Sequence, residues 1–394
     1  MACAMCHSRP RSWGFVLIGL FITCAGITTG VCAENRTRIL ADIPTGRALY
    51  AEHIAYTRIS VPEGLGGPAR EACRGDFAVM AMGPNGSMFV AEPQNAQVHW
   101  ISSEGTDYII AGTGEKGFRD GPGDQAKFDF GYRAYNDLDI KTDQFGNVYV
   151  SDMMNKRLRK LTKHTDGSWH VTTVSGGGTL KTKAVSKSSW VKATDLEEGC
   201  ATNFAVTHDG KACYFAGAGG IWKIVVDEKK AMLIADGDDL RAAGLKQFRA
   251  GHVGGAHVTT DGIFFWMPNG GKEIWSLNET SGEIKRYAGG GLKRMDGKGL
   301  LDSGFHTVFA VYSPNAGVIY TGGGDEFNVR RIFAGEVRHL YKDGVFRPVR
   351  QKAMLKEAWE LGSVKAIDAQ GRLYSTPSPY SWPSWMVRTT FSNR

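Results

Sequence analysis

Two histidines, His252 and His306, each stand just ahead of a short apolar-alternating segment, at corresponding places in successive repeats of the chain. Glu198 precedes a third such segment. Imidazoles and a carboxylate drawn from neighbouring repeats form a donor set for a divalent metal, so His252, His306 and Glu198 are the candidate ligands, with His257 as a further one. The corresponding places elsewhere hold Arg74, Arg133 beside Tyr132, Asn203 and Glu360. Converging polar groups of this kind suit a concave ligand site. An arginine that masks a uronate carboxylate makes the adjacent proton acidic, and Tyr132 or His252 would take it. A separate signal lies in residues 375–385, STPSPYSWPSW, where three prolines stiffen a segment that projects Tyr380, Trp382 and Trp385. Stiff aromatics suit stacking on sugar rings or anchoring a partner protein, and they equally suit packing over a channel edge.

The elements that must position these residues are many short strands. Gly is abundant, at 51 residues, and recurs where alternating apolar segments end. Residues 77–82, 88–92, 97–101 and 108–111 read as four strands with tight turns, and the same order returns four more times. A sixth copy, from residue 364, lacks its last strand, while residues 54–61 read as a strand without a sheet of its own. The expectation is all-β: a six-bladed β-propeller of four-stranded antiparallel blades, its ring closed by an N-terminal strand. Innermost strands begin near residues 77, 137, 204, 256, 308 and 364, further apart than the roughly 40–45 residues a minimal blade needs. The surplus falls in connections that emerge on one face, which is therefore expected to be deep and rich in loops.

One stretch is more specific. Residues 112–128 read GTGEKGFRDGPGDQAKF and lead into GNVYVSDMMNKRLRKL at 146–161. This resembles the NHL repeat, marked by a Gly-rich Asp-Gly-x-Gly connection, an Asp-x-x-Gly-Asn turn and a strand ending in Asp-x-x-Asn. The strong match covers about one blade; residues 289–305 and 324–330 are looser copies. The resemblance implies a propeller, and NHL-like amidating lyases hold metal through histidines spread over several blades. A repeated His-x-Pro pattern that would carry that property over is absent from this sequence. Asp152, Asn155, Asp325 and Asn328 repeat with the fold, and their short polar side chains are expected to bond to nearby backbone.

Charge and cysteines bound the function classes. Residues 1–33 carry Arg9 and Arg11, an uncharged apolar run and small residues at 31–33, the pattern of a signal peptide. An uncleaved anchor is the competing reading. Removing the segment takes two of 47 basic residues and none of the 40 acidic ones, so the formal charge falls from +7 to about +5. No Lys/Arg block appears, so nucleic acid is not an expected partner. Of seven cysteines, Cys73, Cys200 and Cys213 remain, at most one bridge and one thiol. A bridge from Cys73 to Cys200 across the channel mouth is open to this chain, with Cys213 left as a buried thiol. Nucleophile elbow, Walker and His-Glu-x-x-His motifs are missing.

The expected protein is thus a single domain over 34–394, secreted or periplasmic, monomeric, without a membrane span once the signal is removed. It is read first as a module binding glycan or protein through its loop-rich face. The alternative is a carbohydrate-active enzyme at the channel mouth, either a polysaccharide lyase or a metal-dependent lactonase or lyase. A purely structural envelope scaffold is the third reading.

Overall fold

Turns bearing Gly, Asp and Asn separate the short strands so tightly that each strand pairs with the next one in the chain. A computed structural model describes residues 49–55, 67–68, 79–305 with short interruptions, and the strands between 308 and 391; side chains are described mainly within 79–305. The strands sort into sheets in chain order. The first sheet holds Val79–Met82, Met88–Glu92, Gln97–Ile101 and Thr106–Ala111. In the second are Ile140–Thr142, Val148–Asp152, Arg157–Lys163 and Trp169–Gly176. Phe204–Val206, Ala212–Gly217, Gly220–Val225 and Lys230–Asp236 form the third. His257–Val258, Ile263–Trp266, Glu273–Asn278 and Ile284–Gly289 form the fourth.

Apolar cores lie between successive sheets rather than within a two-layer sandwich. Phe89, Ala91 and Val98 of the first sheet pack with Ile140, Val148, Val150 and Leu161 of the second. Tyr149 and Leu158 of the second meet Phe215, Trp222 and Ile224 of the third, and Tyr214 and Ile221 of the third meet Phe264 and Trp266 of the fourth. Each sheet therefore buries both faces, which is why strands such as Met88–Glu92 and Val148–Asp152 are buried along their whole length. Sheets stacked face to face around an axis, inner strands side by side, make a β-propeller.

Four blades are described with their side chains, where the repeats predict six. The remaining strands form two further sheets, described as backbone. One runs Val308–Asn315, Val318–Gly323, Val329–Phe333, Glu336–His339. The other joins Ser363–Ile367, Leu373–Thr376 and Met386–Phe391 to the N-terminal strand Leu49–Ala55, which pairs antiparallel with Met386–Phe391, Leu49 opposite Phe391. The N-terminal strand thus starts earlier than the 54–61 expected, because its register answers to Met386–Phe391 and not to its own alternation.

A second correction concerns the blades' width. The expected four strands gain a fifth at the outer edge in three of the four fully described blades: Gly67–Pro68, Gly121–Pro122 and Trp190–Lys192. Connecting segments expected to deepen the loop-rich face in part return along the rim, satisfying backbone groups the outermost strand would expose. A further connection forms a short helix, Gly237–Ala242, because Asp236 caps its N-terminus in a reciprocal box with Asp239.

The motif residues explain how a connection is held. Arg159 is fully buried and donates to Asp152 and Asp120 and to the carbonyls of Arg119 and Lys127. Asp152 also accepts from the Asp129 backbone N–H at 2.8 Å and from Asn155 at 2.9 Å. Asp152, Asn155 and Arg159 therefore tie the Gly-rich connection onto its blade. At the turn, Asp143 accepts from the backbone of Phe145 and Asn147 and from the Tyr149 hydroxyl, which also donates to the Gly210 carbonyl of the next blade.

Candidate functional site

Most residues singled out from the sequence lie outside the described residues: Arg74, Tyr132, Arg133, Asn203, His252, His306, Glu360, Tyr380, Trp382 and Trp385. Cys73, Cys200, Asp325 and Asn328 do so as well. Glu198 is described and is exposed. It and Glu197 raise the pKa of Lys156, with Glu197 the main cause through a 2.8 Å hydrogen bond. Among the described residues, no three His, Cys, Asp or Glu side chains gather as a metal site. Cys213 is buried and unpaired, and burial pushes its thiol pKa up, so it is no nucleophile at neutral pH.

What the described residues do place around the axis is a smaller set on the innermost strands: Asp139, Lys141 and His257. Asp139 stands immediately before Ile140–Thr142, at the end of that strand nearest the loop-rich face. Its Oδ1 accepts from Lys141 Nζ at 2.7 Å and from the Ile140 N–H at 2.9 Å, and its own N–H donates to Ser151 Oγ at 2.8 Å. The other oxygen, Oδ2, is buried, and the Phe204 backbone N–H of the third blade also stands beside the carboxylate and stabilises its charged form. Burial raises the carboxyl pKa of Asp139, and the nearby Lys141 ammonium opposes that rise.

His257 opens the innermost strand of the fourth blade. Part of its surface is exposed, yet protein surrounds it, and its pKa is pushed down to about 3 by burial and then by the positive charge of Lys141. Lys141 belongs to the second blade, with the third blade between the two. His257 is consequently a neutral imidazole at pH 7, able to donate from one ring nitrogen and accept at the other. With the Asp139–Lys141 pair it places an ammonium, a carboxylate and a neutral imidazole on the innermost strands of the second and fourth blades. Such a set matches the hydroxyls and carboxylate of an acidic sugar.

In the sequence His257 stands out only as a further metal-ligand candidate within its strand, and neither Asp139 nor Lys141 is singled out. Both sit beside Asp137, and the alternation Leu138, Ile140 marked the strand. The polar positions between Leu138 and Ile140 and after it were the available signal, since Ile140 packs towards the first blade and Asp139 meets the Phe204 backbone of the third.

The fold has solved counterparts. A protein of unknown function from Bacteroides thetaiotaomicron superposes with a TM-score of 0.56 at 12% identity, over 87% of this chain and 76% of that one. An auxiliary nutrient binding protein from Bacteroides ovatus gives 0.53 at 10% identity, covering 88% and 77%. Another, from Bacteroides thetaiotaomicron, gives 0.52 at 8%, covering 87% and 76%. These likenesses show a shared propeller fold. No known family profile matches the sequence, and no curated protein does.

Proposed function

We propose that this chain is an exported, NHL-like six-bladed propeller whose loop-rich face binds a glycan or protein ligand, with acidic sugar as the favoured class. The observation that carries the reading is the placing of Lys141, ion-paired to Asp139 at 2.7 Å, and of His257 on the innermost strands of non-adjacent blades, where the charge of Lys141 adds to burial in holding His257 neutral. The same fold in two auxiliary nutrient binding proteins supports binding as its use. In this proposal Arg74, Arg133, Asn203 and Glu360 ring the same mouth, and Tyr380, Trp382 and Trp385 supply a stacking surface at its edge. Export rests on residues 1–33. Among the described residues no helix is long and apolar enough to cross a membrane.

A second reading is a carbohydrate-active enzyme, in which His257 stands neutral on an innermost strand but, with a pKa of about 3, is too weak a base to act alone. In that reading Tyr132, His252 and His306 join it as catalytic groups, and His252, His306 and Glu198 would hold a divalent metal if one takes part.

Affinity electrophoresis in polygalacturonate gels tests both. Retention of the parent should weaken about tenfold in Lys141→Ala and in the double variant Trp382→Ala, Trp385→Ala. Unchanged retention in both would end the binding reading. Absorbance of unsaturated products that disappears in His257→Ala would establish the enzyme instead.

A further inference from the structure

The flank between the first and second blades carries an aromatic ladder that neither core packing nor the channel uses fully. Phe89, Trp100 and Tyr108 face one another in register on three successive strands, from the core outward. Phe89 is buried in the inter-blade core, Trp100 is half-buried, and Tyr108 ends the ladder 45% exposed. Trp100 and Tyr108 stack with ring centroids 5.1 Å apart and planes 24° apart. Trp169 of the second blade meets Phe89 edge to face at 5.8 Å, is half-buried, and packs with Trp100 against the core between the two blades. Lys163, paired with Trp169 across its own hairpin, reaches over and sets its ammonium 4.5 Å from the Trp100 ring centroid. All of these residues lie towards the hairpin-turn end of their strands, opposite the loop-rich face.

Some exposed lysines of this protein are paired with a carboxylate, and others, such as Lys163, Lys246 and Lys272, have no such partner among the described residues. Lys116, Lys127, Lys141, Lys156, Lys187 and Lys223 each have a carboxylate within ion-pair distance. Exposed Lys163 has none among the described residues, and its ammonium contacts an aromatic face instead. A flat, stacked aromatic step with an uncompensated cation beside it complements one kind of partner: a pyranose ring whose C–H face lies on the step and whose carboxylate reaches the ammonium.

We propose that this aromatic flank is a second ligand site, distinct from the channel, that binds uronate-bearing oligosaccharide. Tyr108 and the exposed edge of Trp100 form the stacking step, and Lys163 the carboxylate contact. The proposal does not rest on the channel reading, since it uses a different face and different residues.

Titration calorimetry with trigalacturonate, and with a neutral galactose trisaccharide as control, tests it on the full chain. Lys141→Ala lowers the channel contribution about tenfold and should leave this site's binding unchanged. In that background, Tyr108→Ala should weaken trigalacturonate about tenfold. Lys163→Gln should erase the preference for trigalacturonate over the neutral sugar while retaining weak binding of both. Tyr108 and Lys163 are surface groups, and unchanged melting temperatures of their variants confirm folding. Trigalacturonate binding that is absent in the Lys141→Ala background, or indifferent to both rim substitutions, would overturn the proposal. So would concentration-dependent dimerisation abolished by Tyr108→Ala, which would give the face to a second copy of the chain.

Discussion

His257 shows how a single side chain reads its surroundings. An imidazole with an ordinary pKa near 6.5 is held down to about 3 by burial and by Lys141. Its folded pKa lies below its unfolded one, so below about pH 6.5 the unfolded chain gains a proton that the folded chain refuses. The stabilisation is therefore complete above about pH 6.5 and is lost progressively as the pH falls towards 3. Thermal melts from pH 8 to pH 4 should show His257→Gln losing less stability on the acid side than the parent. An identical slope in the two proteins would mean that His257 is not held neutral. The same residue was visible in the sequence only as a histidine within a strand. Neither its protonation state nor its relation to Lys141 follows from sequence spacing, because the third blade separates them along the chain.

At the scale of the element, the connection over residues 112–128 depends on its anchor. Arg159 and Asp152 are both fully buried and bonded, and Asp120 joins them. Arg159→Leu strands a carboxylate in the interior, for which a cost of about 3–5 kcal/mol is expected, read as a lower urea midpoint. Hydrogen exchange should show the connection loosening before the strands do. A midpoint shift within about 0.5 kcal/mol of the parent would contradict the anchoring role. The corresponding place in the first blade is His99, fully buried between Glu92 at 3.5 Å and Asp107 at 3.2 Å. In the third and fourth blades the third-strand position carries Trp222 and Trp275. One position in the repeat is thus filled by a charged clamp in one blade and by aromatic packing in others. That divergence explains why the repeat pattern is sharp in the second blade and faint elsewhere. The strands themselves were legible: Met88–Glu92, Gln97–Ile101 and Val148–Asp152 follow from alternation and turn residues. The fifth strands were not, because Gly121–Pro122 has no alternation to read and is fixed by His170–Val171 alone.

For the whole molecule, the pairing of Leu49–Ala55 with Met386–Phe391 joins the two ends of the chain in one sheet. Removing residues 1–55 would uncover the edge of Met386–Phe391. A chain beginning at residue 56 should melt at lower temperature and aggregate at concentrations where a chain beginning at residue 34 stays monomeric. Light scattering and thermal melts check this, and equal behaviour of the two chains would show that the N-terminal strand is dispensable.

Local chemistry, repeated along the chain, was enough to specify short strands, tight turns and the order in which they pair, because those features depend on neighbours a few residues away. Asp143, Asn147 and Gly146 make their turn almost wherever that peptide is placed. The stacking of blades, the meeting of Asp139, Lys141 and His257, and the alignment of Lys163 over Trp100 are different in kind. Each joins residues from separate blades, and only the closing of sheets around an axis sets which of them face one another.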